Sequence, residues 1–203
     1  MNLKHLLAAT AASTLLLTAC NQDDSAETEE PIENAETEEA KEAEATEVKV
    51  SEDELKDSIE FDGEYGHYVI TRIDTIDIPP TDLDKEAAED AGEEASDSPA
   101  VVIEFDFTNK SNSPTSASEA FALDLAVRQF NESGMIPTDN LTLDIPKDST
   151  YHKNVNDASE TVQTDESSKA VVAYGPIDSE ENDINIQSRE DESLLNLLLK
   201  FNE

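Results

Sequence analysis

The chain has 203 residues, of which 36% are hydrophobic and 5% aromatic, and its 49 Asp and Glu against 13 Lys and Arg give a formal charge of -36. This charge repels phosphate, so nucleic acid is excluded as a partner. The apolar content is enough for one modest core but not for a large enzyme with a deep pocket. One Cys excludes an internal disulfide, and three His leave little material for metal or nucleophilic catalysis.

The N-terminus has the pattern of a lipoprotein signal. Lys4 precedes an uncharged run over residues 6–19, and Leu17-Thr18-Ala19-Cys20 has the small residues before Cys that a lipobox requires. The run is shorter than the roughly 20 residues that cross a bilayer, which disfavours a transmembrane anchor. We therefore expect a signal peptide over residues 1–19, cleavage between Ala19 and Cys20, and lipidation of Cys20. The acylated Cys20 would hold the protein in the lipid bilayer at the outer face of the cytoplasmic membrane.

An acidic segment follows the lipobox. Residues 21–57 contain 16 acidic residues and three Lys, with almost nothing large and apolar. Such a segment cannot bury enough surface to offset its ordering entropy. The composition predicts a disordered acidic tether over residues 20–57 and one folded domain over residues 58–203. A partner-binding acidic arm is the alternative interpretation of this run of charge.

The rest of the chain contains several short segments with the period-two alternation of β-strands. A second acidic segment at residues 82–98 is expected to be a long surface loop with at most one helical turn. Residues 194–201 are expected to form a closing strand, with a short helix as the alternative because Leu favours helices. Short strands without alternating helices predict an all-β antiparallel sandwich. The predicted strands are residues 68–78 with a bulge, 100–107, 121–130 leading through a turn at 131–134, 169–174, 183–186 and 194–201.

Several of these segments have familiar residues. They are Val102-Ile-Glu-Phe-Asp-Phe-Thr-Asn-Lys-Ser111, Ala120-Phe-Ala-Leu123, Arg128-Gln-Phe-Asn131 and Gly134. Together they resemble the immunoglobulin-like (Ig-like) domain of unknown function that follows the tether in many Gram-positive surface lipoproteins. The resemblance covers roughly Ile59 to the C-terminus, and the acidic insert at residues 82–98 departs from it. It implies an immunoglobulin-like β-sandwich on the cell surface and supplies no catalytic residues.

The candidates for chemistry are weak. His67 and His152 have no metal-ligand partners at i+4 and no Cys nearby, and the acidic run at residues 178–183 lacks the spacing of an EF-hand. The sequence has neither a Gly-x-Ser-x-Gly elbow with a usable His downstream nor a Gly-rich phosphate loop. We therefore expect no catalytic residues, no metal site and no cofactor, and hence no enzymatic activity.

The sequence thus predicts a membrane-anchored lipoprotein that presents an Ig-like binding or structural module outside the cell. Its expected partner, besides the bilayer, is an envelope protein or a component of the cell wall. An extracytoplasmic lipoprotein that binds a cation, such as calcium, or another small ligand is the alternative. A hydrolase is the least favoured class, and no motif specifies the ligand.

Overall fold

The computed structural model describes residues 44–201. The predicted signal peptide, the cleavage site at Ala19 and Cys20, the lipidation site and residues 20–43 of the predicted tether lie outside these residues. In chain order the strands are β1 (Thr46–Lys49), β2 (Ile59–Asp62), β3 (Gly66–Ile78), β4 (Ser98–Asn109), β5 (Thr115–Ser116), β6 (Leu125–Asn131), β7 (Gly134–Pro137), β8 (Asp139–Asn140), β9 (Thr161–Val162), β10 (Ser167–Gly175), β11 (Asp183–Ser188) and β12 (Asn196–Lys200). The helices are α1 (Asp82–Ala91), α2 (Ala117–Asp124), α3 (His152–Ser159) and a 3-10 turn at Thr142–Asp144.

The described strands form two five-stranded sheets and one small pair. Sheet A has the order β1-β12-β11-β6-β7, sheet B has the order β2-β3-β4-β10-β8, and β5 pairs with β9. Neighbouring strands are antiparallel except β1 and β12, which are parallel. The prediction of a mainly β structure with antiparallel sheets is therefore confirmed.

The inner faces of the two sheets share one apolar core. Strand β4 contributes Val101, Ile103, Phe105 and Phe107, each fully buried, as the alternation over residues 100–107 predicts. The Tyr68 ring from β3 lies 5.8 Å from the Phe105 ring and 5.6 Å from the Phe107 ring, centroid to centroid. Aromatic packing at these distances adds to the burial of apolar area that stabilises the sandwich.

The buried carboxylate of Asp124 fixes one end of the sandwich. It accepts backbone N–H groups from Glu64, Tyr65 and Gly66 at 3.0 to 3.2 Å, and the Tyr68 hydroxyl at 2.7 Å. Burial and this hydrogen bond raise the pKa of Tyr68 above its ordinary range. Gly63 leaves no room for a Cβ beside the same carboxylate. The turn between β2 and β3 is therefore tied to the junction of α2 and β6.

Other predicted strands also form. The strand expected at residues 68–78 is β3, and its register against β4 shifts between Ile70 and Arg72, as a bulge would produce. The segments at residues 169–174 and 183–186 are β10 and β11. Residues 194–201 contain the strand β12 rather than a helix. The turn at residues 131–134 joins β6 to β7.

The folded region begins earlier than the tether boundary at residue 57 predicts. Thr46–Lys49 forms β1 at the edge of sheet A and pairs with β12. Val48 and Val50 are buried in the main core, at 8% and 5% exposure. The pairing of this segment with β12, about 150 residues away in sequence, buries both side chains. Their burial offsets the entropy cost of ordering an otherwise acidic segment.

The acidic insert at residues 82–98 is not a loop with a single turn, because α1 occupies ten of its residues. The Thr81 hydroxyl accepts the Asp84 N–H, and the Asp84 carboxylate accepts the Thr81 N–H at 2.8 Å, which completes a capping box. These hydrogen bonds from Thr81 lower the pKa of Asp84. Gly92 ends the helix with a left-handed φ of 75°. No residue of α1 is buried.

The strand expected at residues 121–130 begins later, at Leu125, because residues 117–124 form α2. Ser116 caps this helix by accepting the Glu119 N–H at 3.2 Å. The buried residues of α2 have helical spacing, and they are Ala117, Ala120, Phe121 and Asp124. Among the described helices, none has the length and apolar character needed to cross a membrane.

The outer face of sheet B is covered by a segment for which the sequence analysis predicts no element. Tyr151 immediately precedes α3, and Val155 lies within it. Both side chains pack, together with Ile145, against Val102 of β4 and Val171 of β10. These residues and their neighbours form a second apolar cluster, separate from the core between the sheets. Sheet B is therefore buried on both faces over part of its area.

Candidate functional site

The outer face of sheet A is open and bears polar side chains. Ile184 and Ile186 of β11 point into the core and are fully buried, so the alternate residues Asp183, Asn185 and Gln187 project outward. Cross-strand pairing places Asn185 between Arg128 of β6 and Leu198 of β12, and Gln187 between Ala126 and Asn196. Phe130 is paired with Asp183. This outer face is the candidate site.

Hydrogen bonds fix the amide side chains of this face. Asn196 Oδ1 accepts Asn185 Nδ2 at 2.8 Å and Gln187 Nε2 at 3.3 Å. Gln187 Oε1 accepts Arg128 Nη1 at 3.1 Å, and the same Arg128 nitrogen lies 3.4 Å from Glu192 Oε1. Asn185 and Gln187 are only 7% and 4% exposed although they lie on an outer face. The network therefore holds the amides in fixed orientations.

These side chains form the floor of a groove of about 480 Å³. This size is within the range of small-ligand sites in proteins. The lining combines three amides, three carboxylates and three apolar side chains. The residues are Glu44, Ala45, Phe130, Asp183, Asn185, Gln187, Glu192, Asn196 and Leu198.

The lining of the groove carries net negative charge. Glu44, Asp183 and Glu192 supply three carboxylates, and no Lys or Arg is among the lining residues. Arg128 lies at the side of the groove, where it contacts Gln187 and Glu192. Lys200, on the same face, is paired with Glu47 at 3.3 Å. The groove is therefore suited to a neutral or cationic ligand rather than to an anion.

A second polar cluster lies on the outer face of sheet B beneath α3. The Tyr151 hydroxyl donates to Asp74 Oδ2 at 2.5 Å, and the Arg72 guanidinium lies 5.8 Å from the centre of the Tyr151 ring. Burial, and then the hydrogen bond to Asp74, raise the pKa of Tyr151 to about 12. Asn154 Nδ2 donates to Glu104 Oε1 at 3.1 Å. Because this cluster joins α3 to β3 and β4, its contacts are structural.

The histidines singled out in the sequence lie on different elements. His67 of β3 contacts Asp62 of β2, with 2.8 Å between Nδ1 and Oδ1. His152 begins α3, and its Nδ1 is buried without a hydrogen-bond partner. Within residues 44–201, no group of three or more His, Cys, Asp or Glu side chains is placed to hold a metal ion. The predicted lipidation residue Cys20 and its neighbour Ala19 lie outside this range.

The acidic run at residues 178–183 forms a self-capped turn before β11. Asp178 Oδ1 accepts the backbone N–H groups of Glu180 and Glu181, each at 3.1 Å. The Asp178 N–H donates to Gln129 Oε1 at 2.8 Å. This carboxylate is thus engaged in its own turn, while Asp183 at the end of the run lies in the groove lining.

The amide side chains of the groove belong to no sequence motif for a site. A signal was present in Asp183-Ile-Asn-Ile-Gln-Ser188, where amides occupy the outward positions of a strand in a chain whose surface is otherwise dominated by carboxylates. The contribution of Arg128 and Asn196 depends on the pairing of β6, β11 and β12, which links residues up to 64 positions apart.

Comparison with known proteins gives one distant structural likeness. No protein-family model matches the chain, and no curated protein matches it significantly. A solved structure of a candidate lipoprotein from Staphylococcus aureus aligns with a TM-score of 0.48 and 11% identity, over 73% of this chain and 96% of that one.

Proposed function

We propose that this protein is a lipoprotein held at the outer face of the cytoplasmic membrane, where it presents a β-sandwich as a binding module. The observation that carries the proposal is Leu17-Thr18-Ala19-Cys20 at the end of a short uncharged run. Cys20 is the only Cys in the sequence, and the lipobox gives it a specific role. Two acyl chains provide stable attachment because each buried methylene contributes about 0.8 kcal/mol.

Anchoring requires a covalent step at Cys20. The thiol loses its proton, its sulfur forms a thioether bond to the glyceryl carbon of a phospholipid, and the headgroup phosphate leaves. Hydrolysis of the peptide bond between Ala19 and Cys20 then releases the signal peptide. The lipidated Cys20 becomes the first residue of the mature protein.

The early start of β1 shortens the link between membrane and domain. The segment between Cys20 and Thr46 has 25 residues. Fully extended, it reaches on the order of 85 Å, an upper limit on the distance between the membrane and the sandwich. A module tethered within this reach would lie in the layer next to the membrane, which supports envelope proteins and wall components as its proposed partners.

We further propose that the sandwich is Ig-like and has no catalytic role. Two mainly antiparallel sheets around a shared core support the first part. For the second part, His67 is engaged with Asp62, His152 is on a different element at the start of α3, and Cys20 belongs to the lipobox. The groove on sheet A favours the related alternative, a lipoprotein that binds a cationic or other small ligand outside the cell.

Substitution of Cys20 tests the anchoring directly. In cells fed a radiolabelled fatty acid, the full-length protein should carry label and sediment with membranes. The Cys20→Ala variant should carry no label and should either accumulate as precursor or appear in the medium. Ser13→Ala, which changes the uncharged run but not the lipobox, is the matched control and should behave as wild type. Label retained on Cys20→Ala would contradict the proposal.

A further inference from the structure

We propose that the groove on the outer face of sheet A binds an aliphatic oligoamine, an organic cation whose ammonium groups are separated by methylene chains. The inference deepens the binding role proposed above and rests on it, but it does not depend on the lipid anchor. It follows from the charge of the groove, the spacing of its carboxylates and the character of the side chains between them.

The first observation is the charge of the lining. Asp183 and Glu192 are exposed, and Glu192, whose Oε1 lies 3.4 Å from Arg128 Nη1, keeps its second carboxylate oxygen for a ligand. Glu44 adds a third carboxylate at the edge formed by the chain just before β1. The rest of the molecule, with its formal charge of -36, adds a long-range field that concentrates cations near the surface. Charge complementarity therefore selects a cationic ligand.

The second observation is the position of the two carboxylates relative to β11, because Asp183 begins the strand and Glu192 follows its end. The Glu192 carboxylate contacts Arg128, and Arg128 also contacts Gln187, which lies four residues after Asp183 on the strand. Four residues of strand span about 13 Å. One small cation cannot contact both ends, but an extended chain with ammonium groups at its two ends can do so.

The third observation is the pairing of an aromatic ring with a carboxylate at one end. Phe130 and Asp183 are directly opposite each other on β6 and β11, which places their Cβ atoms on one face about 5 Å apart. An ammonium group at this position is attracted both by the ring and by the carboxylate. The pair forms a preformed site for one end of the ligand.

The middle of the groove fits the methylene chain and an inner amine. Leu198 is half-buried beside Asn185 and supplies apolar surface for methylenes. Gln187 Oε1 accepts one hydrogen bond, from Arg128, and keeps a second lone pair for an N–H donor, whereas both lone pairs of Asn196 Oδ1 are already used. Because hydrogen bonds already orient these amides, binding costs little side-chain entropy.

Calorimetric titration of the full chain in nonionic detergent with spermidine tests the proposal. Sodium chloride at about 0.15 M should be present, because it screens diffuse attraction between separated charges. We expect saturable binding with one spermidine per chain. Butylamine, which has one ammonium group, should bind at least tenfold more weakly. Magnesium chloride at equal ionic strength should not reproduce the heat of binding.

Three variants locate the site, and a fourth variant, which removes one negative charge elsewhere on the surface, serves as the control. Asp183→Asn, Glu192→Gln and Phe130→Leu should each weaken spermidine binding about three- to tenfold. Glu93→Gln removes one exposed carboxylate beyond α1 and should change the affinity less than twofold. Melting curves should confirm that all four variants fold.

Two results would overturn the proposal. One is the absence of saturable binding by spermidine. The other is an equal effect of Glu93→Gln and Asp183→Asn, which would show diffuse attraction to a charged surface. Tetralysine binding at least tenfold tighter than spermidine, with the same variant pattern, would assign the groove to basic peptides and would also overturn the oligoamine assignment. None of these results bears on lipidation, which the labelling of Cys20 tests separately.

Discussion

The outer faces of the two sheets differ in what covers them. On sheet B, Val102 and Val171 are buried beneath Tyr151 and Val155 of the α3 region, with Ile145 beside them. On sheet A the corresponding surface is an open groove with an amide floor and acidic sides. One outer face of the sandwich thus contributes to stability, and the other is the face to which we assign ligand binding.

The difference shows how polar side chains can have opposite roles in one domain. Asp74 and Glu104 on sheet B contact Tyr151, Arg72 and Asn154, so their hydrogen bonds close the interface with α3. On sheet A, by contrast, hydrogen bonds orient the amides of an open groove that no described element covers. A few fixed polar groups in a concave surface are typical of small-ligand sites, which is why we assign binding to this face.

The largest expected effect comes from truncating matched aliphatic side chains on the two faces. Ile145→Ala on the covered face should lower the free energy of unfolding by about 2 to 5 kcal/mol, because Ile145 is buried and its removal leaves a cavity. Leu198→Ala in the groove should cost about 1 kcal/mol or less, because this side chain is only half-buried. Urea unfolding of the two variants measures both values. Equal losses of unfolding free energy in the two variants would contradict the proposed difference between the covered and the open face.

A smaller effect should appear at alkaline pH. Burial raises the pKa of Tyr151 and of Tyr174 to about 12, from an ordinary value near 10. The folded state thus keeps two phenol protons that the unfolded state releases earlier. Their contribution to stability is complete below about pH 10 and is lost as the pH rises through about 12. Replacing either Tyr with Phe should make the loss of stability above pH 10 less steep.

The two Tyr variants should differ at neutral pH. Tyr151→Phe removes the donor to Asp74 and should cost about 1 to 3 kcal/mol. The buried Tyr174 hydroxyl has no hydrogen-bond partner, so Tyr174→Phe should be neutral or slightly stabilising. Thermal melts from pH 7 to pH 11 test both statements. An unchanged alkaline slope in both variants would contradict the assigned pKa shifts.

Elements with strong local alternation could be predicted from the sequence. Residues 100–107 become β4 because their inward and outward positions differ clearly in polarity. The same rule fails at residues 121–124, where Phe121 also fits the helical spacing of Ala117, Ala120 and Asp124. The capping residues Thr81 and Gly92 specify α1, although its acidic composition is typical of a loop.

Features that depend on distant pairing could not be predicted. Val48 lies in a charged segment, and only the contact with β12 at the other end of the chain gives it a buried position. The groove likewise requires β6, β11 and β12 to be neighbours, because β11 supplies three polar residues and the strands on either side supply Phe130, Asn196 and Leu198. Lipidation of Cys20 is predicted from local sequence alone and stays a prediction.

Side-chain amide NMR signals provide the most direct test of the claim that the open face of sheet A is the binding face. Isotope-labelled full chain in nonionic detergent should be titrated with spermidine at about 0.15 M salt, where diffuse attraction is screened. If spermidine binds to the open face, the Asn185, Gln187 and Asn196 side-chain signals should shift saturably, and the Asn154 signals on the covered face should not change. Shifts of Asn154 equal to those of the groove amides, or no saturable shift of the groove amides, would contradict the account.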